Sequence, residues 1–98
     1  MTEKTDLTVK LATALARHTE NQKVIRCRLT ENEDLNALLN RLDGQFAGLG
    51  AVICNDGADI VDSINVYVNG DNVRYLQGLR TPLKHGDVIN IIPAAAAG

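Results

Sequence analysis

A chain of 98 residues has room for one domain and not two, because single cores usually take on the order of 100 residues. Ten basic residues against twelve acidic ones leave a formal net charge of -2, which argues against the broad basic surface that phosphate-backbone binding requires, so nucleic acid is not an expected partner. The hydrophobic share of 45% allows a core, and with aromatic residues limited to Phe46, Tyr67 and Tyr75 its filling must be aliphatic.

The opening residues Met1 to Asp6 are polar and lead into alternation, with no long apolar run to act as a signal peptide or membrane span. A cytoplasmic protein with no membrane partner is the expectation. Cys27 and Cys54 are the only cysteines, too few for a disulfide framework in a chain without an export signal, and both read as reduced thiols. Leu7, Val9 and Leu11 alternate with Thr8 and Lys10, the two-residue period of a strand with one buried face. After a polar stretch from His18 to Gln22, Lys23 to Leu29 alternates again, sending Ile25, Cys27 and Leu29 to one side. These two strands read as a hairpin.

Thr30-Glu31-Asn32-Glu33 fits a capping box, in which the Thr30 hydroxyl and the Glu33 carboxylate take up amides that a helix start leaves unpaired. Behind it Leu35, Leu38, Leu39 and Leu42 fall on one helical stripe, with Asn36, Asn40, Arg41 and Asp43 facing away. Gly44, Gly48 and Gly50 break that period. The mixed segment from Gly50 to Asp62 reads as a mobile loop with one short edge strand. Ile64, Val66 and Val68 then alternate up to Asn69-Gly70, a pair suited to the positive dihedrals of a tight hairpin, and Val73 to Tyr75 are the expected return strand. Thr81 to Asp87 is rich in turn residues, and Val88 to Ile92 is β-branched enough for a central strand buried on both faces. Pro93 ends the ladder. The expected architecture is α+β, a helix held against a mixed sheet over residues 1–93, with residues 94–98 as a flexible tail.

Little local chemistry emerges. His18 and His85 have no second ligand at metal spacing and read as solvated turn residues. Cys27 shares its side of the strand with Ile25 and Leu29 as a structural thiol, Cys54 lacks a partner, and Asn55 to Asp59 lacks the acidic spacing and closing Glu of a calcium loop. With no phosphate cradle, acid–base pair or activated nucleophile, no cofactor or metal is expected and the chain reads as something other than an enzyme. The tail is different in kind. Five extended residues with small side chains span about 17 Å, enough to enter another protein's active site while the domain docks outside.

Ile64-Asn65-Val66-Tyr67-Val68-Asn69-Gly70, then Val73-Arg74, Leu79, Pro82-Leu83, Gly86-Asp87, Val88, Ile91 and Pro93 are spaced as in the ubiquitin-like sulfur carriers of thiamine and molybdopterin synthesis (ThiS/MoaD type). The chain resembles these along nearly its whole length, and more closely a related carrier of cysteine synthesis. The resemblance implies a β-grasp fold with the first and last strands parallel at the centre. It implies that Gly98 is adenylated with ATP by a ubiquitin-activating-type enzyme and converted to a thiocarboxylate, Ala94, Ala95, Ala96 and Ala97 forming the stretch that enters the partner. A sulfur-accepting synthase is the second implied partner, and a tail-processing peptidase a third. Tyr67, Arg74, Arg80 and Lys84 are the candidates for partner docking, the last three from the half of the sequence that carries the tail. The family ends in Gly-Gly where this chain has Ala97-Gly98. A ubiquitin-like modifier, or a degenerate binding module without thiocarboxylate chemistry, is the alternative.

Overall fold

The alternating segments at the two ends of the domain become neighbours in the middle of one sheet. The computed structural model describes residues 7–30, 32–55 and 59–94. Strand β1 (Leu7–Leu11) pairs antiparallel with β2 (Val24–Cys27), Val9 standing opposite Ile25. That register turns Leu7, Val9, Leu11 and Ile25 to the buried side. Between them the polar connection is more structured than its sequence suggests: α1 (Thr13–Ala16) runs into a 3-10 turn at Arg17–Thr19. The fully buried Thr19 hydroxyl sits within hydrogen-bonding distance of the Gln22 and Ala16 carbonyls, at 2.7 and 3.0 Å.

Helix α2 (Leu35–Gln45) buries Leu35, Leu38, Leu39 and Leu42, as the leucine stripe predicts, each worth roughly 1.5 to 3 kcal/mol in transfer from water. Its start differs from expectation. Asp34, not Thr30, is the N-cap, its carboxylate accepting from the Ala37 amide at 2.9 Å. The backbone is held extended up to that point: Asp34 bridges Pro82, the Leu83 amide donates to Glu33 and the Leu35 amide to Thr81. A helix cannot begin before that pairing ends. Glu33 does accept from the Thr30 amide, at 3.0 Å, but Arg41 also reaches back one helical face to donate to it from Nε and Nη2, at 2.8 and 2.9 Å. Arg41 is therefore engaged, where the sequence pattern has it facing away.

Of the stretch expected to be a mobile loop, residues 56–58 lie outside the described residues and the parts on either side form a second packed unit. Helix α3 (Leu49–Ile53) leads into a small hairpin of β3 (Cys54–Asn55) and β4 (Asp59–Ile60), and Leu49, Ile53, Cys54 and Ile60 are all buried. Asp43 Oδ1 accepts from the Gly48 and Gly50 amides at 3.1 and 2.9 Å and folds the chain against α2. A Cβ at Gly50 would lie 3.1 Å from the Asp43 carboxyl, so a larger residue there requires the Asp43 side chain to shift.

Strand β5 (Ile64–Val68) ends at Asn69 and Gly70, with φ of 54° and 91°, both left-handed as the hairpin turn requires. The return strand β6 is Asp71–Asn72, and Val73–Tyr75 coil into a 3-10 turn instead of continuing it. The Asn72 side chain stops the strand by accepting from the Arg74 amide at 2.9 Å, and Val73 turns into the core.

Strand β7 (Asp87–Pro93) completes a five-stranded sheet of order β2-β1-β7-β5-β6, parallel to β1 and antiparallel to β5. It is central, as expected, but buried on one face. Asp87, Ile89 and Ile91 are buried while Val88, Asn90 and Ile92 are partly exposed, because the helices form a layer on one side of the sheet. Asp87 anchors the strand's start, accepting from the Asn69 carboxamide and the Lys84 amide, each at 2.8 Å. Among the described residues no helix is long and apolar enough to cross a membrane.

Candidate functional site: the root of the C-terminal tail

Pro93 stands opposite Ile64 at the end of the β5–β7 pair and has no amide to give. The next donor is Ala94, whose N–H reaches the Ser63 carbonyl at 2.8 Å. Ala94, grouped with the tail in the sequence reading, is thus tied to the sheet and half-buried. Ala95, Ala96, Ala97 and Gly98 lie outside the described residues. Extended from Ala94, four residues cover about 13 Å.

Ser63 belongs to a turn closed by a bond from the Ile64 amide to the Val61 carbonyl, at 3.2 Å. Arg74 lies across that turn, Nη2 donating to the carbonyls of Val61 and Ile64 at 2.8 Å each. Of the docking candidates, this side chain is committed within its own domain.

Tyr67 is half-exposed on the outer face of β5, opposite Asn90 on β7 and Asn72 on β6. The same register continues through Lys10 and Val24, so one row crosses the sheet on the side away from the helices. Arg80 ends a 3-10 turn at Gly78–Arg80 and borders a shallow polar depression of about 520 Å³ with Asp34, Asn36, Asp59 and Gln77, beside the start of α2. Lys84 precedes β7, and the length of that strand, ~20 Å at 3.3 Å per residue, separates it from the tail root. Arg74 therefore lies at the tail root and Lys84 at the far end of β7, so these two cations, near in sequence, do not form one cluster. What sequence reasoning missed is Ser63 and its turn, which act through backbone carbonyls and so leave no side-chain signal.

Other reactive groups are quiet. Burial pushes the Cys54 thiol up, with Asp59 adding to the effect. It pushes the Cys27 thiol up too, Arg41 opposing and Glu33 adding. Both thiols are free and held in the less nucleophilic protonated form. Among the described residues no group of three or more His, Cys, Asp or Glu side chains is placed to hold a metal ion.

The parallel β1–β7 pair at the centre of a mixed sheet, helix-covered on one side and running straight into the tail, is the architecture implied by the resemblance. The ThiS family model matches residues 9–98. The chain belongs to the ThiS family. Its sequence is 30% identical over 95 residues to the sulfur carrier protein CysO of Mycobacterium tuberculosis, covering 95% of this chain and 99% of that protein. It is 31% identical over 85 residues to small archaeal modifier protein 3 of Haloferax volcanii, covering 87% and 91%. Among solved structures, a chain of the Amycolatopsis orientalis BexX/CysO complex superposes with a TM-score of 0.81 at 30% identity, covering 94% of this chain and 99% of that one. The fold is the ubiquitin-like β-grasp, and this ThiS-family chain stands among small carrier and modifier proteins, one of them solved with a partner protein.

Proposed function

We propose that this protein is a sulfur carrier that works through a thiocarboxylate on Gly98. An oxygen of the Gly98 carboxylate attacks the α-phosphorus of ATP on an adenylating enzyme and pyrophosphate leaves. A sulfide-level sulfur donor then attacks the acyl carbon and AMP departs, leaving sulfur where one oxygen was. A synthase accepts that sulfur, and likeness to CysO favours cysteine synthesis over the thiamine and molybdopterin pathways as its destination. The domain ends at β7 in this reading and the tail beyond the Ala94 tie serves as the inserted arm. The observation that carries the reading is the family match extending to Gly98, on a chain whose last central strand is followed by a tail with no side chain larger than methyl.

The small archaeal modifier relative supports a second reading, in which the same acyl adenylate is passed to a lysine of another protein. One experiment separates them. Incubated with a cognate adenylating enzyme, ATP and sulfide, the chain should gain the mass difference of one oxygen replaced by sulfur, localised to Gly98, and deletion of Gly98 should abolish it. Lysine-linked conjugates in place of the thiocarboxylate would favour the modifier. Should the natural chain stay unmodified while Ala97→Gly is readily converted, the Ala97 methyl blocks the partner's channel and the protein is a degenerate binding module.

A further inference from the structure

The tail root depends on a hydrogen bond whose acceptor is itself held in place. Ala94 supplies the last described bond to the β5 side, because Pro93 before it cannot donate. Its acceptor, Ser63, is exposed in a turn whose own closing bond, 3.2 Å from Ile64 N to Val61 O, is long. Arg74 corrects this weakness. One nitrogen of its guanidinium donates to both carbonyls that bracket Asp62 and Ser63, each at 2.8 Å, and a charged donor makes such bonds about twice as strong as a neutral one. The base of the arginine is fixed in turn: its amide is capped by Asn72, and the preceding Val73 is fully buried.

We infer that Arg74 is a positioning residue for the tail, acting through the Val61 to Ile64 turn to set where, and in which direction, the chain leaves β7 towards Gly98. The consequence for activation rests on the sulfur-carrier reading above. An anchored root leaves fewer residues to be ordered when the tail enters a partner, and ordering costs reduce affinity. The anchoring itself is a property of the free domain.

The test is amide hydrogen exchange by NMR on the full chain, comparing wild type with Arg74→Met, which keeps the stem and removes the donors, and Arg74→Lys, which restores a charged donor. In Arg74→Met the Ala94 and Ile64 amides should exchange roughly tenfold faster, the scale of losing a bond to a charged group. Amides at Val9, Ile25 and Leu38 should keep their rates, and Arg74→Lys should recover part of the protection at Ala94. Unchanged exchange at Ala94 in Arg74→Met overturns the proposal, as does acceleration shared equally by every sheet amide, which would mark an ordinary stability role. With an adenylating enzyme, Arg74→Met should raise KM for the carrier severalfold at unchanged kcat. A raised KM without faster Ala94 exchange would make Arg74 a docking contact and refute positioning. If Ala94 responds as expected while wild type is never adenylated, the positioning stands and the reading of Gly98 fails.

Discussion

Replacing Glu33 by glutamine keeps the shape of the side chain and deletes its charge. The wild-type side chain is fully shielded from solvent, and its two oxygens accept from the Thr30 amide and from two nitrogens of Arg41. A carboxamide offers one acceptor oxygen and turns its NH2 towards donors, so at least one charged bond is lost and two donors face each other. Bonds to charged groups are worth about 1.5 to 3 kcal/mol. The Arg41 side chain is 40% exposed and regains water on release, which keeps the cost below the ~3 to 5 kcal/mol of breaking a fully buried pair. We expect Glu33→Gln to cost about 2 to 3 kcal/mol at neutral pH, a fall in Tm of roughly 10 to 20 °C for a chain this size. The loss should depend on pH. Burial alone would raise the Glu33 carboxyl, but the bonds from Arg41 and Thr30 outweigh it and hold the group below its ordinary value. A carboxyl depressed on folding contributes stability that is complete above its unfolded pKa, about 4.3, and that disappears as pH falls through the folded value. Urea unfolding followed by circular dichroism should therefore show the two proteins well separated at about pH 7 and converging below about pH 4. A cost under about 0.5 kcal/mol at neutral pH, within the range of surface substitutions, would refute the reasoning. So would a gap that stays constant into acid.

Leu38→Ala should lower stability by about 2 to 5 kcal/mol, since the leucine is fully buried between α2 and the sheet; an unmoved urea midpoint would show that this face contributes no core. The raised thiols predict sluggish alkylation near neutral pH, with buried Cys54 lagging behind half-buried Cys27. A timed iodoacetamide pulse read by mass spectrometry checks this, and prompt labelling of Cys54 in the native protein would contradict its burial.

Where one periodicity governed a segment, the sequence could be read directly. Alternation at Leu7 to Leu11 and Ile64 to Val68, and the leucines of α2, map onto the buried faces because in each run the apolar residues recur at the period of the element and so share one side. Reading failed where a distant partner decided the conformation. The helix start moved from Thr30 to Asp34 because residues 33–35 pair with residues 81–83, some fifty positions on. Leu49–Ile53 is too short to show a period, and the contact that folds it comes from Asp43. For the site, the small side chains of the tail and the family likeness were legible, but not what holds its root. Arg74 looked like one of three loose cations, and its partners, two carbonyls ten and thirteen residues earlier in the chain, have no sequence signature.

The placement of β7 has a bearing on how the protein comes into being. Before that strand is synthesised, β1–β2 and β5–β6 are two hairpins with nothing between them, and neither two-stranded piece is stable on its own in water. The sheet can close only when the residues immediately ahead of the tail have been made, and it closes through contacts between the far ends of the domain, a slow class of pairing. A chain cut short before Asp87 therefore lacks its keystone and remains open to proteases. Folding in this way checks completeness, since a domain that has become compact is one whose synthesis has already passed through β7.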